Sequence, residues 1–295
     1  MNCGSFSIND LMNGFHYAMH GGGDYRGVTH SNSKEAYLFW KKRGAKIFEF
    51  DICHCADGGF VAFAHNLEKR YLYPVEVYDI PSKPTTEWFL NQKLYSTTTK
   101  GLTTVSLVFL INELKESKDI IFMLDLYGMF NKESVVDFLN SLQKLIGNDE
   151  SLYNRLLIEA YNIETSIIIM KRLSTACVIY GIHYEESDWV DTYGNRENGD
   201  NFDIVTPETL IQNGIRYVSY PWYYCKQRPG ELEDFVRKGI CVLSRTNSNK
   251  EYKKLKALGV SINLVDYKYD VLLFPIQRAK LVFYRWINSK RRKGV

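Results

Sequence analysis

Two carboxylates stand two residues apart in Ala45-Lys46-Ile47-Phe48-Glu49-Phe50-Asp51-Ile52-Cys53, a stretch that is otherwise mostly apolar. If residues 46 to 53 form a strand, its period of two turns Glu49, Asp51 and Cys53 to one face. Burying paired like charges among Ile and Phe is costly unless a cation or hydrogen-bond donors share the site. The stretch therefore reads in two ways: the solvated acidic face of a surface strand, or one wall of a cation site. Other groups able to do chemistry sit at the ends of apolar runs. His20 closes Phe15-His16-Tyr17-Ala18-Met19-His20 and leads into Gly21-Gly22-Gly23, which either lets the backbone approach a ligand closely or makes a flexible surface turn. His65 closes Phe60 to His65 after the turn Asp57-Gly58-Gly59, and Asp125 lies near the end of Ile120 to Tyr127. Cys53-His54-Cys55 looks like a zinc fragment, but alternation sends His54 to the opposite face. No second Cys/His pair follows at zinc-site spacing, so zinc is not expected.

The elements that must position these groups repeat along the chain. Apolar runs starting near residues 15, 46, 120, 156, 176, 216, 240 and 260 read as strands. The first helix follows Ser31-Asn32-Ser33, an N-cap signal, and runs from Lys34 to a closing Gly44. Later helices are expected over 104–116, 132–145, 163–173, from Thr206-Pro207-Glu208, over 230–238 and over 248–258. Residues 66 to 103, with three prolines and many threonines, read as an insertion or long excursion after the second strand, and 184 to 205 as a polar loop. Eight strands alternating with helices over 295 residues predict an α/β fold, a (β/α)8 TIM barrel in a single domain, with a doubly wound open sheet as the alternative. In such a barrel the working end is the rim formed by the C-terminal ends of the strands. His20, Glu49, Asp51, His65 and Asp125 would converge there, which favours a metal-dependent site over scattered surface polarity.

Composition narrows the class. An apolar fraction of 45% with 24% charged residues excludes disordered and collagen-like chains, and 21 Tyr with 16 Phe predict a well-filled core. A net charge of +3, with basic residues concentrated only at the C-terminus, is too small to argue for nucleic acid, which is not expected as a partner. The N-terminus lacks the basic and apolar regions of a signal peptide, and no run reaches the roughly 18 apolar residues of a spanning helix, so a cytoplasmic protein is expected. Six scattered cysteines, several in apolar runs, read as reduced and buried. The segment 270–295 reads as the final helix and a basic tail, and the alternative is a weak contact with an anionic membrane surface or polymer.

The motifs His20-Gly21-Gly22, Asn32-Ser33, Gly44-Ala45-Lys46 into Glu49-Phe50-Asp51-Ile52, Asp57-Gly58 and His65 resemble the opening of the glycerophosphodiester phosphodiesterase family. That family is similar in turn to other barrel phosphodiesterases, including phosphatidylinositol-specific phospholipase C and the spider sphingomyelinase D enzymes. Thr246-Asn247 through Lys256-Ala257-Leu258-Gly259-Val260 to Val265-Asp266-Tyr267 resembles its closing strand, helix and strand. The resemblance implies that Glu49, Asp51 and Asp125 hold one divalent cation, and oxygen ligation suits Mg²⁺ or Ca²⁺. It implies His20 and His65 as a general acid/base pair acting on a glycerol-type phosphodiester, either a small molecule or a glycerol-phosphate polymer. A lyase or transferase forming a cyclic phosphate from a phosphodiester or phospholipid, and a metal-retaining binding protein, are the alternatives.

Two positions depart from the family pattern. Gly21 stands where the family usually has Arg, and Tyr127 where it usually has Lys, both phosphate-gripping cations. Arg26 and Arg245 are the candidates to replace them. Glu159 reads as a rim residue orienting a ligand or the metal site, or as half of a structural salt bridge. Trp222, with Tyr223, would wall the pocket or pack in the core, and His183 reads first as a structural histidine.

Overall fold

The inward faces of the barrel strands are apolar at one end and polar at the other, and this gradient positions the site. The structure is a computed structural model and describes residues 16–25, 28, 30–63, 72–73, 81, 83–94, 101–127, 129, 131–173, 176–182, 205–221, 224, 228, 230–245 and 249–265. Its strands are β1 (His16–Met19), β2 (Ile47–His54), β3 (Phe60–Ala62), β4 (Leu72–Tyr73), β5 (Lys93–Leu94), β6 (Leu102–Thr103), β7 (Val105–Ser106), β8 (Ile121–Asp125), β9 (Leu156–Ala160), β10 (Cys177–Gly181), β11 (Tyr217–Ser219), β12 (Cys241–Arg245) and β13 (Ile262–Val265). β1, β2 and β8 to β13 form one parallel sheet in the order β1-β13-β12-β11-β10-β9-β8-β2. β1 also pairs with β2, which closes the ring into a (β/α)8 barrel.

Alternation along each strand separates two cores. Ile47, Ile121, Met123, Leu157, Ile179, Leu243 and Ile262 pack together with Ala18 inside the barrel. Phe48, Phe50, Ile52, Phe122 and Leu124, the alternate residues, pack outward against Tyr37, Trp40, Leu110 and Phe138 of the surrounding helices. Because both faces are covered, β2 and β8 are buried almost throughout. The helices after β1, β8, β9 and β10 start at the same rim. Each is capped by a side-chain oxygen that accepts from the N–H three residues on: Ser33 from Ala36, Asn131 from Ser134, Asn162 from Thr165 and Thr206 from Thr209.

The region read as an excursion contains regular structure. β4, β5 and β6 make a small antiparallel sheet, and Thr86–Asn91 is a helix. The expectation of helix from residue 104 is corrected: Val105 and Ser106 are strand β7, paired with β3, and the helix is Leu107–Glu116. Ser106 Oγ accepts from Phe109 N at 3.1 Å and so marks the true start. Among the described residues, no helix is long and apolar enough to cross a membrane.

Candidate active site

On β2 the inward residues run Ile47, Glu49, Asp51; on β8 they run Ile121, Met123, Asp125. Parallel register sets Asp51 beside Asp125, and Asp125 beside Glu159 of β9. His20 follows β1 in a 3₁₀ turn, His20–Gly22, at the same end. Glu49, Asp51 and Asp125 each bring a carboxylate oxygen within 4.8 Å of the others, with exposures of only 2%, 1% and 7%. Three like charges so close and so dry repel one another and lose their water, and a divalent cation among them offsets both costs. The all-oxygen donor set fits a hard cation.

Each carboxylate is held by named donors. Glu49 Oε2 accepts from Gly21 N at 2.5 Å. Asp51 Oδ2 accepts from Asn32 Nδ2 at 2.6 Å and faces His30 Nε2 at 2.7 Å, while Asp51 N donates to Asn32 Oδ1 at 3.0 Å. Asp125 Oδ1 accepts from Tyr127 N at 2.8 Å and from the Tyr161 hydroxyl at 2.7 Å. Burial, and then the neighbouring Asp125 and Glu159, push the Tyr161 phenol well above its ordinary range, so it stays a donor. The Tyr161 ring meets Tyr127 edge-on at 5.3 Å. Gly181 leaves room for this packing, because a Cβ there would lie 2.2 Å from the Tyr161 ring and 2.9 Å from Glu159 Oε1. Cys53, next along the inward face after Asp51, donates to the Phe63 carbonyl at 3.4 Å; burial and then Asp51 push its thiol well up.

The triple glycine is a packed turn. Gly21, Gly22 and Gly23 all have positive φ, and a Cβ on Gly23 would lie 2.4 Å from the Trp40 ring. Asn32 N donates to Gly21 O at 2.8 Å, which folds the segment 30–32 over the turn. His30 and Asn32 are held at φ of 56° and 51°, and the His30 ring stacks on that of His20 at 4.0 Å. A ring nitrogen of each histidine and a carboxylate oxygen of Glu49 lie within 4.8 Å of one another.

His20, Gly21, Glu49, Asp51, Asp125, Tyr127 and Glu159 thus gather at one end of the barrel. Glu159 is buried beside Asp125 and faces the Tyr161 phenol. Tyr127 contributes its backbone N–H to Asp125. Arg245 ends β12 in the same alternating register as Leu243 of the barrel interior, so it belongs to the same rim. His65, Arg26, Trp222, Tyr223, His183 and the 270–295 tail lie outside the described residues. His30 and Tyr161 have no role among the residues singled out from the sequence, and Asn32 appears there only within a motif before a helix. Tyr161 had a signal, since it stands two residues beyond Glu159 at the end of the same strand run.

No protein-family model matches this sequence, and no curated protein does either. In structure the chain is similar to a glycerophosphodiester phosphodiesterase from Parabacteroides distasonis, with a TM-score of 0.64 and 17% identity over 90% of this chain and 98% of that one. It is also similar to a phosphodiesterase from Oleispira antarctica solved with the product sn-glycerol-3-phosphate, with a TM-score of 0.63 and 16% identity over 85% and 93% of the two chains. A glycerophosphodiester phosphodiesterase from Agrobacterium tumefaciens gives 0.57 and 12% over 85% and 96%. At these identities the likeness establishes a shared barrel fold.

Proposed function

We propose that this chain is a metal-dependent phosphodiesterase that hydrolyses a glycerol-type phosphodiester. The observation that carries the reading is the meeting of Glu49, Asp51 and Asp125, three buried carboxylates from two strands, beside His20 at the C-terminal mouth of the barrel. The fold shared with solved glycerophosphodiester phosphodiesterases supports it. Glu49, Asp51 and Asp125 hold a divalent cation, which supplies polarisation of the phosphoryl oxygens and offsets the charge that builds on them. Gly21 N and Asn32 fix Glu49 and Asp51, and the Tyr161 hydroxyl fixes Asp125. His20, at the lip of the site, moves a proton to or from a substrate oxygen, with His65 as its partner, because imidazole exchanges protons near neutral pH. Arg245 is the cation at the rim suited to the phosphate charge.

The test is a screen of glycerophosphodiesters and phospholipids with Mg²⁺, Ca²⁺, Mn²⁺ and a chelator, with products read by phosphorus NMR. Metal-dependent release of glycerol phosphate is expected, and His20→Ala and His65→Ala should each lower turnover by about 10²–10⁴ without unfolding. A cyclic phosphate as the end product would make the chain a lyase. Full activity in both variants, or no alcohol released with any cation, would overturn the proposal.

A further inference from the structure

His30 has no part in the carboxylate and acid/base scheme above, yet it touches both halves of it. Its Nε2 stands 2.7 Å from Asp51 Oδ2, a histidine–carboxylate pair on one of the three acids. Its ring lies on that of His20, with the centroids 4.0 Å apart and the planes 22° from parallel. Rings so nearly parallel aim their nitrogens side by side rather than at one point, a geometry that steadies a ring and does not chelate an ion.

The local chain leaves a place for this stack. His20 opens a 3₁₀ turn and is followed by three glycines, which offer no side chain to hold its imidazole. Proton transfer needs a ring nitrogen within about 2.6–3.2 Å of the substrate oxygen, and rotation of the ring destroys that reach. The His30 ring supplies the wall. A Cβ on Gly21 would lie 2.4 Å from His30 Cδ2 and 2.6 Å from His30 Cα, so the departure from the family pattern at position 21 makes the room that the second ring occupies. The backbone is bent to bring it there: His30 adopts a φ of 56°, uncommon for a residue with a side chain, and Asn32 N bonded to Gly21 O fixes the segment.

Resting on the acid/base role given to His20 above, we propose that His30 is a positioning residue for His20. Anchored on Asp51, its ring fixes the plane of the His20 imidazole and keeps a His20 nitrogen beside Glu49, within 4.8 Å of its carboxylate. The two contacts of His30 carry separate duties: the pair with Asp51 supports the cation site, and the stack serves proton transfer.

The experiment separates those duties. His30→Gln leaves an amide nitrogen for Asp51 and removes the flat ring, whereas His30→Phe keeps a flat ring and removes the nitrogen. Turnover of glycerophosphocholine and bis(p-nitrophenyl) phosphate by the full chain is measured at saturating Mn²⁺, Mn²⁺ affinity by calorimetric titration, and the imidazole resonances by NMR in Mg²⁺. His30→Gln should lose about 10²-fold in kcat with KM and Mn²⁺ affinity close to wild type. His30→Phe should keep kcat close to wild type and lose about 10–100-fold in Mn²⁺ affinity. The His20 ring protons, identified by their loss in His20→Gln, should be shifted upfield by the stacked ring in wild type and His30→Phe, and not in His30→Gln. An undiminished kcat in His30→Gln, equal losses of kcat in both variants, or His20 resonances alike in wild type and His30→Gln would overturn the inference and leave the phosphodiesterase reading standing. If wild type turns over neither substrate with any cation, that reading fails, and the NMR comparison alone decides whether His30 holds the His20 ring. Should His30→Gln not fold, His30→Leu, which fills the volume without a flat ring, takes its place.

Discussion

Asn32 is the residue whose removal should be felt most widely at this site. It is fully buried, donates to Asp51 Oδ2 at 2.6 Å and accepts from Asp51 N at 3.0 Å. Asn32→Ala deletes a hydrogen bond to a charged group, about 1.5–3 kcal/mol, and strands a buried N–H, about 1–3 kcal/mol. The loss should be about 3–5 kcal/mol, against a total stability of about 5–15 kcal/mol for a folded domain. The φ of 51° adds a backbone component, because Ala resists the left-handed region that Asn and Gly tolerate. Asn32→Gly should therefore retain about 1 kcal/mol relative to Asn32→Ala. Asn32→Asp keeps the shape and the acceptor for Asp51 N, but sets a carboxylate against Asp51 at close range. At an effective dielectric of about 20 that repulsion is about 4 kcal/mol, and a divalent cation should restore most of it. Urea unfolding followed by circular dichroism, with and without Mn²⁺, measures all three variants. An Asn32→Ala protein within about 1 kcal/mol of wild type, or an Asn32→Asp protein indifferent to the cation, would refute the reasoning.

Tyr161→Phe removes the hydroxyl bonded to Asp125 and should destabilise the chain by about 1.5–3 kcal/mol. The phenol is raised from 10.0 in the folded state, so its contribution is complete below pH 10 and is lost as pH climbs toward the raised value. The stability gap between wild type and Tyr161→Phe should accordingly narrow in alkaline solution, as denaturant titrations at pH 8 and above pH 10 will show. Burial raises the thiols of Cys53 and Cys177 well up, that of Cys55 to about 12 and that of Cys241 to about 11. These four cysteines should resist a disulfide reagent at pH 8 in the native chain and react in denaturant, as peptide mapping of the labelled thiols will tell.

The barrel was legible because several of its strands, β2, β8, β9 and β10 above all, are buried on both faces, and such strands leave continuous apolar runs that stand out at a steady spacing. Glu49, Asp51 and Asp125 were legible because carboxylates inside such runs demand a reason. The helix start at Leu107 was misplaced because Thr104-Val105-Ser106 precede an amphipathic run without a break; Ser106, as the capping residue, was the signal. Strands of two residues, such as β4 to β6, are too short to show a period. His30 was invisible for another reason. Its place depends on a left-handed backbone at a residue that is not glycine, and on a stack with His20 that only the closed turn creates. Tertiary contacts of that kind leave no local pattern.

In the proposed site three acids, brought together by the barrel, hold one cation. A crystal of the full chain grown with Mn²⁺ and measured at the manganese absorption edge tests this most directly. One anomalous peak is expected at bonding distance from Glu49, Asp51 and Asp125 together. A map with no peak there, or with manganese bound only elsewhere on the molecule, would contradict it.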